Sequence, residues 1–316
     1  MTGLAWYIVK RILGAIATLL IIMVVTFILM RAIPGSPFQT EKNTQSVIEQ
    51  NNAKYGLDRP PVEQFLTYLQ NYLHFDLGVS LKMQQDTRVS AIIFEQGKFE
   101  LSIRLGVCAL GLSILLGVPL GSIAAYRRGS WLDGLLRVMT TVGVAVPAFV
   151  LATLLLLFCG VSHSWLPPSS GSLPNAESYV MPVLSMSFYY TCYIAKLTRT
   201  SMLDAINQDY IRTARAKGVK TGKLVLKHAL RNSLIPVVTY LGPVTAGIIT
   251  GSFVVESTFQ IPGLGKYFLE CVRSRDYNLI MATTTILSAL VIAMNLVVDL
   301  AYRWLDPRIT LTVRED

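Results

Sequence analysis

Charged residues are scarce in this sequence. Only 15% of its 316 residues are Asp, Glu, Lys or Arg and 52% are hydrophobic, whereas an ordinary soluble domain carries roughly 25% charged residues. That deficit excludes a water-soluble globule. Histidine is scarcer still: His74, His163 and His228 stand far apart and none lies in a His-Glu-x-x-His frame, so the donor set for zinc hydrolysis is missing. Of the four cysteines, Cys108, Cys159 and Cys192 fall in apolar blocks and Cys271 stands alone in an expected loop, which gives neither a disulfide framework nor a spaced metal site. No Gly-rich loop ends in Gly-Lys-Ser/Thr, since Gly265-Lys266 is followed by Tyr267 and Gly222-Lys223 by Leu224. The chain therefore has no cradle for nucleotide phosphates. The apolar blocks hold no nucleophile with a base and no pair of carboxylates, which argues against an intramembrane protease or lipid transferase. There is no tandem repeat and no low-complexity tract.

The apolar residues that are present are gathered into long blocks, and a bilayer needs about 20 such residues per helix. They predict spans at Ile12 to Met30, Leu105 to Tyr126, Val138 to Val161, Tyr179 to Ala195, Ser233 to Val255, and Leu279 to Leu300. Lys10 and Arg11 before the first block imitate a secretion signal, but no small-residue cleavage site follows before Arg31-Ala32-Ile33-Pro34. The block reads as an uncleaved first span.

The net charge of +9 follows from topology, not from a nucleic-acid partner, because cytoplasmic loops collect Lys and Arg. Arg127, Arg128 and Arg137 face only Asp133 between spans two and three, while the loop between three and four has no basic residue. Between spans four and five, nine basic residues from Lys196 to Arg231 face only Asp204 and Asp209. That loop is expected inside, as are both termini. The segment from Arg31 to Glu100 is then outside, and its stretch Tyr55-Gly56-Leu57-Asp58-Arg59-Pro60-Pro61 leads into an amphipathic helix over Val62 to Leu73, expected to pack on the outer rim. Gly117-x-x-x-Gly121 and Gly247-x-x-x-Gly251 match close helix contacts, as chance also does in glycine-rich spans. Asp299 and Arg303, spaced i, i+4, fit either a helix-end ion pair or a proton relay. The spans are otherwise almost free of carboxylates, so energy for transport is expected to come from elsewhere.

The stretch Asp209-Tyr210-Ile211-Arg212-Thr213-Ala214-Arg215-Ala216-Lys217-Gly218 reads as a two-turn helix. Asp209 is the expected N-cap, Gly218 the left-handed terminator, and Arg215 and Lys217 complement the helix dipole. Ile211, Ala214 and Ala216 offer apolar contacts to a partner. The bare alternative is a solvated basic loop.

This stretch resembles the cytoplasmic Glu-Ala-Ala-x-x-x-Gly loop of type I ABC importer permeases, in the form usual for the peptide and nickel branch. Arg212 and Thr213 replace Glu and Ala, and Pro236 follows later than the general pattern has its Leu-Pro. Agreement extends to Ile33-Pro34-Gly35-Ser36-Pro37, Asp76-Leu77-Gly78-x-Ser80, His228-Ala229-Leu230-Arg231-Asn232, Phe259-Gln260-Ile261-Pro262-Gly263-Leu264-Gly265, Arg275-Asp276-Tyr277 and Asp306-Pro307-Arg308-Ile309. The chain is thus similar to the B-type permease of an oligopeptide or dipeptide importer. The resemblance implies an all-α membrane protein of the bacterial inner membrane with the type I permease fold, six helices and both termini inside. It divides into residues 1–98 (first span and outer segment), 99–305 (permease core) and 306–316 (cytoplasmic tail). It implies a homologous second permease, two cytoplasmic ATPases that bind the ATP and magnesium, and an extracytoplasmic peptide-binding protein; no cofactor and no catalytic residue is expected in this chain. Asp209 to Gly218 then become the ATPase-coupling helix. Oligopeptides are the expected cargo, with dipeptides, nickel chelate or glutathione as alternatives. Phe253, Val254 and Glu256 close the fifth span and are candidates for an outer gate, or else plain packing.

Overall fold

Prolines and glycines set the joints between long helices in this chain. The structure, a computed structural model, describes residues 2–39, 43–167, 175–219, 222, 224, 229–249 and 253–305. Twelve α-helices occur among them: α1 Thr2–Ala32, α2 Gln45–Lys54, α3 Pro61–Leu73, α4 Lys98–Tyr126, α5 Trp131–Ala145, α6 Ala148–Leu155, α7 Ala176–Ile206, α8 Asp209–Ala216, α9 Leu230–Ile249, α10 Phe253–Thr258, α11 Leu264–Ser274 and α12 Tyr277–Leu305. Wider π-helical turns occupy Ala91–Glu95 and, continuing α6, Leu156–Ser162. The side chains of Asp299 and Arg303, residue His228, Gly251 and the stretch from Asp306 to Ile309 lie outside the described residues.

The chain divides into two compact units, Met1–Ser102 with Pro262–Ala293, and Ile103–Ile261 with Met294–Asp316. In the first, α1 leaves Leu13, Ile16, Ile21, Val25, Ile28 and Leu29 exposed and, among its described side chains, buries Met23, Phe27 and Met30. A helix that is apolar all round and this exposed has lipid as its solvent. The expected amphipathic helix is α3. Pro61 starts it, where the missing N–H costs nothing, and its Phe65 and Tyr68 rings meet Phe27 at 5.5 and 6.1 Å. Helix α2 was not foreseen. It is polar and buries no residue, so no periodicity announces it, and it is held through Ser36 to Asn52 at 2.8 Å and the Phe38 stack on Tyr55 at 5.4 Å.

In the second unit α7 packs against α5, α6, α9 and α10. The third expected span is not one straight helix: α5 ends at Ala145 and the next helix turns away by 99°. Pro147 explains the break, since proline removes a backbone donor and forces the preceding Val146 into extended backbone, observed at φ −79° and ψ 120°. Among the described residues, α1 over Val9–Ala32, α4 and α12 over Tyr277–Val297 are long and apolar enough to cross a bilayer, and the bent pair adds a fourth if it counts as one span. Helix α7 has ample length at 31 residues but carries Glu177, Lys196, Arg199 and Asp204.

Gly117-x-x-x-Gly121 is a genuine helix contact. A Cβ at Gly117 would stand 2.8 Å from Ile194 Cγ2, and one at Gly121 would collide with the Ala195 carbonyl oxygen, so α4 and α7 touch backbone to backbone. A Cβ at Gly247 would meet no heavy atom within 4 Å.

Candidate functional site

Helix α8 grows from the end of α7 through Asn207 and Gln208. Gln208, not Asp209, is the N-cap, and no side chain caps the helix. The expected cap is displaced by one residue because the Gln208 carbonyl already accepts from Ile211 and Arg212 at 3.1 and 3.3 Å. Asp209 is the first helical residue instead, placed favourably for the dipole and 3.6 Å from Arg212. The far end follows the sequence expectation: Gly218 has φ +76°, its N–H donates to Arg215 at 3.0 Å, and the Val219 N–H reaches Ala214 at 3.2 Å. These two bonds are the Schellman closure.

The two faces of α8 differ sharply. Ile211 is 1% exposed and sits in a cluster with Ala125, Met202, Ala205, Leu224 and Ala229, against which Ala214 and Val219 are partly buried. Ile211 and Ala214, three apart, lie on one helix face. They therefore serve the chain's own core, which corrects their assignment as partner contacts. Tyr210, Arg212, Thr213, Arg215, Ala216 and Lys217 remain exposed and make a mainly cationic face.

Behind α8, the α5–α7 joint is built on Asp133. Its side chain is 1% exposed and accepts from Arg199 Nε and Nη2 at 2.6 and 3.0 Å and from the Gly129 N–H at 3.0 Å, with Arg137 at 3.7 Å. Ser130 caps α5 through the Asp133 N–H. A buried carboxylate with this complement of donors is a fixed joint, because removing one partner would strand the other charge.

Glu256, expected with Phe253 and Val254 at an outer gate, lies on α10. It is fully buried with Val255 on α10, while Val254 on the opposite side is 49% exposed. The helix rests on α6 and α7, which turns the carboxylate inward. Sequence reading missed four tyrosines between α7 and α9: Tyr189 and Tyr190 have ring centres 5.2 Å apart, and Tyr193 stacks on Tyr240 at 4.1 Å. The repeated tyrosines in an apolar run were the available signal.

In the first unit the missed residue is Asp276. Its carboxylate is fully buried and accepts from Ser80 Oγ at 2.6 Å and from the N–H groups of Leu81, Lys82 and Met83 at 3.1, 2.9 and 3.1 Å. It also receives the Leu279 N–H at the start of α12, at 3.3 Å. Neighbours complete the knot: Arg275 donates to the Pro34 carbonyl at 3.1 Å, and Asn278 donates to Val79 at 2.8 Å while accepting from Tyr68 at 2.6 Å. Three of the separate stretches that carried the resemblance thus meet here. Cys271 lies in α11 and not in a loop; burial pushes its thiol up to about 12, so it is unreactive. On the surface, hydrogen bonds from Lys54 and Tyr55 hold Asp86 below the usual carboxylate range. Among the described residues no His, Cys, Asp and Glu side chains group to hold a metal ion.

Residues 117–311 match the family of binding-protein-dependent transport system inner membrane components, and residues 4–85 match the N-terminal family of the same membrane components. The chain is 43% identical to the dipeptide transport system permease protein DppB of Bacillus subtilis over 98% of its length and 99% of that protein's. It is 40% identical to the oligopeptide transport system permease protein OppB of Haemophilus influenzae, over 96% of this chain and 98% of that one, and 37% identical to OppB of Escherichia coli over the same shares. The chain therefore belongs to the binding-protein-dependent transport system inner membrane components, as a non-catalytic, multi-pass permease of the peptide ABC importer type.

Proposed function

We propose that this permease forms half of a translocation pathway for oligopeptides and receives its power stroke through α8. One observation carries the reading: a short helix anchored to its own subunit by Ile211 and Ala214 and closed at Gly218 holds Tyr210, Arg212, Arg215 and Lys217 outward. A rigid cationic knob of this kind suits an acidic cleft on an ATPase. The second permease half, the two ATPases and an extracytoplasmic peptide-binding protein complete the machine. Its six spans are α1, α4, the α5–α6 pair, α7, α9 and α12, with both termini cytoplasmic. Residues 1–98 contribute the first span and outer segment, 99–305 the core, and 306–316 the tail. Phe253 and Val254 remain gate candidates, with Glu256 acting from beneath through its place on α10.

The test is ATP-driven uptake of labelled peptide into vesicles holding the complete transporter. Arg212→Glu with Arg215→Glu should abolish uptake while the spans still assemble; uptake equal to the unmodified transporter would remove α8 from the power train. Dipeptide cargo is the second reading, favoured by the 43% identity to a dipeptide permease. Competition by unlabelled peptides of two and of five residues separates the two.

A further inference from the structure

The turn joining α4 to α5 stands where two apolar runs end. Tyr126 and Trp131, on either side of it, are exposed, as are Arg127 and Arg128 between them. Exposed aromatics beside cations mark a membrane–water boundary. Next to this level, α4, α5 and α7 enclose a cavity of about 130 Å³ whose wall includes Gly121, Arg137, Thr140, Lys196 and Arg199. The backbone contact at Gly121 brings α4 and α7 together at its edge.

The charge in and around this cavity does not balance. Three cations face Asp133 alone. Arg199 commits Nε and Nη2 to that carboxylate at 2.6 and 3.0 Å, whereas Arg137 is 3.7 Å from it and 59% exposed. Among the described residues no carboxylate lies within ion-pair distance of Lys196. Thr140 and Thr200 donate their hydroxyl protons to the carbonyls of Arg137 and Lys196, so the charged donors left for a guest are those of Arg137 and Lys196, with the Thr141 hydroxyl also in the wall. Size narrows the guest further. The volume is that of about four waters at ~30 Å³ each, well below the roughly 300 Å³ at which pockets enclose whole ligands. A phosphate fits and a peptide does not. Leu135, Val138, Met139 and Val142 form an exposed apolar stripe on the face of α5 turned away from the cavity, at the spacing of one helix face.

We infer that this cavity seats the phosphate of an anionic phospholipid, with Arg137 and Lys196 as its ligands. Inorganic phosphate shares the headgroup chemistry, but the boundary level marked by Tyr126 and Trp131 is where a lipid headgroup lies. An occupied seat would brace α5 against α7 at the end from which α8 grows.

The experiment uses the intact transporter purified into mixed phosphatidylglycerol and phosphatidylcholine, with retained lipid read by native mass spectrometry. The unmodified protein should keep phosphatidylglycerol in preference. Arg137→Gln with Lys196→Gln should cut that preference by roughly thirtyfold, the loss expected for two interfacial cations, and Arg137→Lys with Lys196→Arg should preserve it. Equal preference in the Gln variant and the unmodified protein would overturn the assignment. Displacement of the lipid by millimolar inorganic phosphate would also overturn it, in favour of a small-anion site. If the Gln variant fails to assemble, the unmodified protein still decides, since no preference over phosphatidylcholine refutes the seat.

Discussion

Single residues carry the joints of this molecule, and Asp276 is the most heavily committed. One oxygen serves Ser80, Lys82 and Met83 and the other serves Leu81 and Leu279. Asn is therefore no conservative replacement: whichever way its amide turns, the NH₂ group faces at least two backbone donors. With each stranded buried donor costing about 1–3 kcal/mol, Asp276→Asn and Asp276→Ala should destabilise by a similar amount of several kcal/mol, visible as a lowered thermal midpoint in detergent. A near-neutral Asn variant would show that the knot is looser than its distances. Gly121 offers a steric test of the same kind, because a Cβ there collides with the Ala195 carbonyl. Gly121→Ala should cost about 1–3 kcal/mol as an overpacked contact, whereas Gly247→Ala, with no atom in reach of its Cβ, should be close to neutral in the same melt. The pattern Gly-x-x-x-Gly showed both sites in the sequence alike. Only packing separates them, since a spacing says which glycines share a face and not what lies opposite.

At the scale of elements, α8 was legible because its signals are local: a polar start, a cationic last turn and a terminal glycine. What was not legible was which face looks inward. Ile211, Ala214 and Ala216 are alike in composition, and only the cluster built from α4 and α7 decides that the first two are buried. Two substitutions exploit this. Ala216→Glu lies on the outer face and should block coupling while the permease melts normally. Ala214→Glu meets the core as well, so it should lose uptake and also lower the melting temperature, since an unpaired charge pressed into apolar surroundings is costly. Melting that is equal for both variants would contradict the inward face of Ala214. The break at Pro147 shows the same division of information. The proline was in view, but an apolar run that continues through it reads as one span, and the 99° turn depends on α6 finding α7 and α10 to pack against. The α2 helix was missed for a different reason: mostly polar and with no buried residue, it borrows its stability from two side-chain contacts with the turns around it.

For the whole molecule, the apolar blocks and the charge of the loops point to six crossings, yet among the described residues three helices and one bent pair meet a plain test of length and apolarity. The two remaining candidates, α7 and α9, are long enough at 31 and 20 residues. About 20 residues suffice for a bilayer at ~1.5 Å per residue, so α7 has a turn or more to spare. Its polar load sits at its ends, Glu177 at the start and Lys196, Arg199 and Asp204 toward the finish, which leaves the stretch between them free of charge. Long cations near a span end reach the interface along their own stems. Arg199 instead turns to Asp133, and the paired charge is carried by α5 at the same level. A helix with charged ends and a neutral middle crosses once, so α8 and the loop before α7 should lie on opposite sides. Reporter fusions after Val161 and after Phe259 should accordingly report the exterior, and fusions after Arg128, Gly218 and Arg308 the cytoplasm. The decisive site is Val161, because the bent α5–α6 pair could also dip into the membrane and return to the side it left. A cytoplasmic signal there would make the pair a re-entrant loop, reduce the crossings to five and put the C-terminus outside, whereas an exterior signal fixes the pair as one broken span.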